Sequence, residues 1–468
     1  MRNSHTQWIE KSLIGSLTIL LSAASWVIFS NGPERLGGIG QTALRRPTGY
    51  PQLISVEPLP EMEGAVCEWM PASASASLVA ALRPAQTALE TGPASREEAA
   101  KREPLRVIRD SYASFSSVAV DPVHNEVVVT DENMFQILVY DRLANTPPTA
   151  TMTEPKRVIG GERTKIEFQC GLYIDPSSGD IYAVNNDTVD TLVIFSRDAK
   201  GNVPPTRELY TPHGTFGIAV DEEKQEMFLT VQHSNAVVVY PKAAKGEDSP
   251  IRLLQGNRTG LNDPHGIAVD TKNRLMYVTN HGSVRDVATT GGEVGYSTWE
   301  GGENWPSRQT VPGSGRNLGS SISVYPLDAK GDTPPLRVIK GPKTQLNWPA
   351  GIAADPERGE LYVANDAGDA ILVFAADARG DAAPIRILQG PRTGIKNPTG
   401  LFLDTANNEL WVSNFGNHSA TVYKLSASGD TPPLRTIRSG PLDEPSLMIG
   451  NPGSVAYDTR REEILVPN

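Results

Sequence analysis

From residue 104 to the end, apolar residues come in short runs closed by Asp, Asn, Gly or Pro, and the runs repeat as a unit. The unit opens on a small residue, an apolar residue, Ala-Val and Asp. A short turn follows, then an apolar run ending in Asn or Asp. The copies read SVAVDPVHNEVVVTD, LYIDPSSGDIYAVNN, IAVDEEKQEMFLTVQ, IAVDTKNRLMYVTN, IAADPERGELYVAN, LFLDTANNELWVSN and SVAYDTRREEILVPN. Six copies continue into a third run (QILVY, TLVIF, AVVVY, SISVY, ILVFA, TVYKL) and a fourth (KRVIGG, TRELYT, IRLLQG, LRVIKG, IRILQG, LRTIRS). Val, Ile, Tyr and Phe between Asp/Gly/Pro turns predict four short strands per unit.

The turn-opening aspartates are Asp121, Asp175, Asp221, Asp270, Asp355, Asp404 and Asp458, spaced by 54, 46, 49, 85, 49 and 54 residues. The long spacing is one period plus an insertion of about 36 residues. A four-stranded period of this length predicts an all-β protein, a β-propeller of four-stranded antiparallel blades. Counting first strands gives seven blades, with six plus an overhang as the alternative. The run LRVIRD at 105–110 is out of phase with the end of the chain. This predicts that 105–109 pairs in one blade with 454–466, leaving no open edge.

Blocks such as NWPAGIAADPERGELYVAND at 347–366 and DPHGIAVDTKNRLMYVTNHG at 263–282 resemble the NHL-repeat and related lactonase-like propellers of bacterial secreted proteins. The resemblance spans about 105–468. It implies the fold; members of the group bind proteins, nucleic acid or small molecules, or catalyse.

The first hundred residues differ in kind. Residues 13–30 are uncharged and apolar behind Arg2 and Lys11, as in a signal peptide or membrane anchor over 1–30. Residues 31–103 are rich in Pro, Ala and Ser and read as a low-order spacer before the propeller at 104–468. The body is therefore expected outside the cytoplasm: periplasmic, secreted or membrane-anchored. The membrane is engaged only by the N-terminal segment, and the body is monomeric.

A net charge of −11 argues against tracking nucleic-acid phosphates. Two cysteines, Cys67 and Cys170, exclude a thiolate metal cage and leave room for one disulfide. NDT at 186–188, NRT at 257–259 and NHS at 417–419 match the glycosylation pattern, relevant only in a glycosylating host.

Chemistry in a propeller sits on loops. Those joining fourth to first strands and second to third strands share one face. The Asn or Asp closing each second strand reads first as a fold position, since a short polar side chain bonds nearby backbone. Five of the seven histidines fall on loops of that face. His213, His233, His265 and His281 belong to adjacent blades and are ligand-binding candidates, with His265 and His281 on two loops of one blade. The insertion at about 283–319 leaves the same face and brings Trp299, Trp305 and Tyr296. Long Gly-rich loops with aromatics suit binding surfaces.

Two functions fit. One is a binding module of the cell envelope that engages a protein or a glycan through this face. The other is an enzyme, a lyase or lactone hydrolase with a divalent metal (Ca, Mg or Zn) at the channel mouth, as in some related propellers. Its metal candidates are Asp131, Asn280, His281, Asn365 and Asp366, although no HxH or HxxxH spacing forces convergence.

Overall fold

The computed structural model describes residues 112–186, 189–287 and 302–442, together with the backbone of Ala456–Asp458 and Glu463–Leu465. The segments 13–30 and 31–103, the run at 105–110, Cys67, Tyr296 and Trp299 lie outside the described residues. Six sheets of four strands follow one another. Blade 1 is β1 (Phe115–Asp121), β2 (Glu126–Asp131), β3 (Gln136–Asp141) and β4 (Arg157–Gly160). Blade 2 is β5 (Gln169–Ile174), β6 (Ile181–Asn185), β7 (Thr191–Phe195) and β8 (Arg207–Tyr210). Blade 3 is β9 (Thr215–Asp221), β10 (Glu226–Val231), β11 (Ala236–Pro241) and β12 (Arg252–Gln255). Blade 4 begins with β13 (Pro264–Asp270) and β14 (Leu275–Asn280). The insertion then opens and closes on a small ribbon, β15 (Ser283–Val284) with β16 (Arg316–Asn317), before β17 (Ser321–Pro326) and β18 (Arg337–Ile339) complete the blade. Blade 5 is β19 (Pro349–Asp355), β20 (Glu360–Asn365), β21 (Ala370–Ala375) and β22 (Arg386–Leu388). Blade 6 is β23 (Pro398–Asp404), β24 (Glu409–Asn414), β25 (Ser419–Lys424) and β26 (Arg435–Arg438). Each blade is an antiparallel meander, and no α-helix occurs among the described residues.

The blades form a closed six-bladed ring. Each sheet is covered on both faces by its neighbours, so its middle strands read as unbroken apolar runs. Six apolar clusters fill six joints. The cluster closing the ring joins Phe115, Val127, Val129 and Tyr140 of blade 1 to Trp411, Val422 and Ile437 of blade 6. The seven-bladed count is therefore corrected to six. The seventh repeat copy forms β27 (Ala456–Asp458) and β28 (Glu463–Leu465), which pair with each other in a two-stranded hairpin of a separate compact unit. Blade 1 holds four strands of its own within 115–160.

The repeated Gly turn between third and fourth strands has a role at the joints. Gly201, Gly246, Gly331, Gly380 and Gly429 each bridge the outer strand of the preceding blade. At the sixth joint the longer loop of blade 1 takes over. Thr146 N–H donates to Thr436 O at 2.7 Å, Thr153 N–H to Arg438 O at 2.8 Å, and the Arg438 guanidinium to the carbonyls of Pro147 and Ala150. The outer strands are thus shielded from edge-to-edge pairing.

An arginine opens every outer strand. In five blades its guanidinium lies over a second-strand ring, 5.3–5.9 Å from the centroid. Arg386 also forks onto both oxygens of Glu360, at 2.6 and 2.7 Å, and holds that carboxyl below its ordinary range. Arg386→Ala should cost about 2 kcal/mol, from a lost cation–π contact and a half-buried bidentate pair. The wild-type advantage should fade as pH falls through the carboxylate range, because the folded form holds Glu360 ionised. Chemical denaturation at pH 7 and pH 4 checks both; equal losses at the two pH values would contradict the electrostatic part.

The inner strands approach closely. Thr279 Oγ1 accepts from Gly266 N–H at 2.8 Å and donates to Ala350 O of the next blade at 2.7 Å. Every first strand also carries a register shift near its start, as between Pro264 and Ile267 in β13. Such bulges re-aim side chains, here those at the mouth of the channel.

Candidate functional site: the channel mouth

Each blade contributes three residues to the mouth. The first precedes the inner strand: Ser114, Phe168, Gly214, Asp263, Trp348 and Asn397. Its carbonyl accepts the N–H of the residue just after the second strand, namely Glu132, Asn186, Gln232, His281, Asp366 and Phe415, at 2.8–3.2 Å. The third sits at the bulge: Ser116, Cys170, Phe216, His265, Ala350 and Thr399. A repeated backbone bond therefore holds the frame while the side chains differ blade by blade.

On one side the side chains form a continuous wall of rings. Phe216 lies against His265 at 4.4 Å between centroids. His265 stacks on His281 at 3.3 Å and 22°, and His281 stacks on Trp348 at 4.9 Å and 28°. His265 is buried; its Nδ1–H donates to Asp263 O at 3.0 Å. Its Nε2 then accepts from the Gln232 amide, whose Oε1 accepts from Asn186 Nδ2 at 2.9 Å. Burial pushes His265 down to about 3 and His281 well below the usual imidazole value, so both are neutral at pH 7. His281 Nε2 is sealed from solvent and has no hydrogen-bond partner among the described residues.

Trp348 is 46% exposed and has φ +52°. The left-handed region costs a bulky residue about 1–2 kcal/mol. Glycine fills the same position in blade 3, at Gly214, so the tryptophan is there for its ring.

Three carboxylates also stand among these positions: Glu132 in blade 1, Asp263 bonded through its carbonyl to His281, and Asp366 bonded through its N–H to Trp348. Burial pushes Glu132 up to about 7, with Asp131 and Asp366 adding to the shift; the Cys170 thiol donates to its Oε1 at 3.4 Å. Burial likewise raises Asp366 to about 6, although Asn397 donates to its Oδ1 at 3.1 Å. Asp263 is also raised to about 6 by burial.

The structure brings some predicted residues together and separates others. His265 and His281 are in contact, and the rings of His213 and His233 lie 5.0 Å apart on the same face. His213 Nδ1 meets Asp190 Oδ1 at 2.9 Å. Trp305 sits where the insertion lies along blade 3. The neighbouring Asn304 and Ser307 bond Pro250 O and the Gln255 amide, along the outer strand of blade 3. Among the metal candidates, Asn280 and Asn365 serve the frame: their Oδ1 atoms accept Asn262 N–H at 3.0 Å and Asn347 N–H at 2.6 Å. Asp131 Oδ1 does the same for Ser114 N–H at 2.8 Å. Only His281 and Asp366 of that set reach the mouth.

The one group of metal-capable side chains among the described residues is Asp263, His265 and His281, with ligand atoms within 4.8 Å of one another. A metal lies in the plane of each imidazole it binds, about 2.0–2.1 Å from the nitrogen. Two rings stacked face to face aim their nitrogens along parallel planes rather than at one point.

Trp348, Phe216 and Gln232 were not among the sequence candidates. For Trp348 the available signal was a bulky residue before Pro at a junction where the other copies that precede Pro place Asp263 or Asn397.

No family model matches the chain, and neither does any curated protein. Among solved structures, a crystal structure of a nidogen/laminin complex is 15% identical, with a TM-score of 0.42, over 70% of this chain and 92% of that one. A functionally unknown protein from Desulfotomaculum acetoxidans is 13% identical, with a TM-score of 0.44, over 74% of this chain and 93% of that one. Among the described residues no helix is long and apolar enough to cross a membrane. The chain's own sheet order makes it a six-bladed β-propeller.

Proposed function

We propose that the protein is an exported, NHL-like binding module of the cell envelope, and that it engages a glycan at the channel mouth. The observation that carries this reading is the wall from Phe216 to Trp348, ending in a half-exposed tryptophan held in a costly backbone conformation. Flat rings offer platforms for the C–H faces of a sugar, and Asn186, Gln232 and Glu132 offer hydroxyl partners. A concave mouth also suits an inserted chain end better than a flat protein surface.

Trp348→Ala should weaken binding to envelope oligosaccharides at least tenfold, followed by calorimetry. Its thermal stability should be unchanged or slightly lowered, since alanine keeps the Cβ that makes φ +52° costly and gives up the stacking on His281. Undiminished binding by the variant, or no oligosaccharide bound by the wild type, would count against this reading. The metal-assisted hydrolase is favoured only by the Asp263–His265–His281 grouping, and the stacking of its two rings speaks against it. Metal analysis of the purified body separates the two.

A further inference from the structure

On the face opposite the mouth, two joints share one device. At the joint of blades 6 and 1, Glu409 takes both Arg435 and Arg142, at 2.8 and 2.9 Å. At the joint of blades 1 and 2, Glu126 takes both Arg157 and Arg197, at 2.7 and 3.3 Å. The glutamate that opens a second strand thus bridges its own blade's outer arginine to a cation just past the third strand of the next blade. The joint of blades 2 and 3 keeps both cations, Arg207 and Lys242, without the bridge. Asp180 stands in the glutamate position, one methylene shorter, and pairs with neither of them. Blade 4 also lacks the glutamate, but there both neighbours are apolar, Leu275 in its place and Ala376 in place of the cation.

Lys242 is satisfied by Asp175 and Glu222, each at 2.7 Å. Arg207 has no carboxylate partner among the described residues. Its Nη1 donates to the carbonyls of Lys242 and Ala244, at 2.8 and 2.7 Å, and its Nη2 donates to Tyr182 Oη at 2.8 Å. Five donors less these three bonds leave Nε–H and one Nη2–H, on one edge of the planar guanidinium. That edge is the fork to which a carboxylate binds through both oxygens. The Nε atoms of Arg157, Arg252, Arg337, Arg386 and Arg435 are sealed, and that of Arg207 is not among these sealed atoms. Arg207 borders a cavity of about 380 Å³, lined also by Tyr182, Gln225, Lys242 and the exposed Lys245. Small-molecule sites run from about 300 to 1,000 Å³.

We propose that this cavity binds a small organic acid, whose carboxylate takes the place that the bridging glutamate holds at the two preceding joints. The site is separate from the mouth and independent of the glycan reading.

Saturation-transfer NMR at pH 7 would compare three probes on the whole protein: butyrate, its neutral isostere butyramide, and inorganic phosphate. Butyrate should bind about tenfold more tightly than butyramide, since the amide forfeits the charge-assisted pair. Asp180→Glu restores the bridge from within the chain. It should abolish butyrate binding and leave the melting temperature equal or higher. Arg207→Lys keeps the charge and loses the fork, so it should weaken butyrate about tenfold. If Arg207→Lys does not fold, Lys245→Gln replaces it, with a several-fold weakening from the lost charge.

Equal binding of butyrate and butyramide would overturn the proposal, as would no binding of butyrate. Phosphate binding more tightly than butyrate would overturn the carboxylate. Butyrate binding that persists undiminished in Asp180→Glu would overturn the assignment to this joint.

Discussion

Gly266→Ala should be among the most damaging single changes in the ring, at about 3–5 kcal/mol, which lowers the melting temperature by roughly 10 °C. A methyl group there would lie 2.2 Å from Ala350 O and 3.0 Å from Ile352 N, both backbone atoms of the next blade. Backbone cannot rotate aside as a side chain can, so the joint between blades 4 and 5 must open. Opening it also strains the Thr279 hydroxyl bridge, which ties Gly266 N–H to Ala350 O. Gly315→Ala is the matched control, because its new methyl would meet only the Arg285 side chain at 3.6 Å or more. Differential scanning calorimetry of the two variants decides the matter; similar melting temperatures would mean that the inner strands are not held at this spacing.

Asp131→Asn should stabilise the protein, and by more at high pH. Asp131 occupies the position that Asn fills at the end of the second strand in blades 2, 4, 5 and 6, and it is fully buried. Its Oδ1 accepts N–H groups from Ser114, Asn133 and Met134, while Oδ2 is enclosed without a partner. Burial outweighs those bonds and pushes the carboxyl up to about 6. A raised folded-state value means that ionisation opposes folding. Wild-type stability should therefore fall as pH rises from about 4 to about 6 and stay low above that. Two units correspond to about 3 kcal/mol, so the variant should gain about 2 kcal/mol at pH 8 and little at pH 4. The amide keeps the Oδ1 bonds and can turn its N–H₂ toward the neighbouring Gln136. Urea denaturation across this range tests it, and a gain independent of pH would remove the electrostatic explanation.

The blade itself was legible because each strand is short, apolar on both faces and closed by a turn residue, as in GIAADPERGELYVAND at 351–366. The Asn closing each second strand was legible as a fold position for the same reason, and Asn185, Asn280, Asn365 and Asn414 each accept a backbone N–H from the preceding loop. The blade number was not. AYD and EIL match the first and second strands in pattern, and a pattern does not say which sheet a strand joins. Closure was equally hidden, since it rests on the blade 1 loop around Thr146 and Thr153, which is longer than the corresponding loop of any other blade. At the mouth, strand phase put the histidines on one face. It gave no hint that Trp348 would lie on His281, because that contact joins two blades and depends on the ring's curvature.

The frame of the mouth is made by backbone carbonyls and N–H groups that every blade supplies, whatever side chain stands there. Glu132, Asn186, Gln232, His281, Asp366 and Phe415 occupy one structural position with six chemistries. Changing any of them leaves the glycine and asparagine contacts between strands in place. Descendants of this chain can therefore exchange ligands one blade at a time, with little loss of heat resistance along the way.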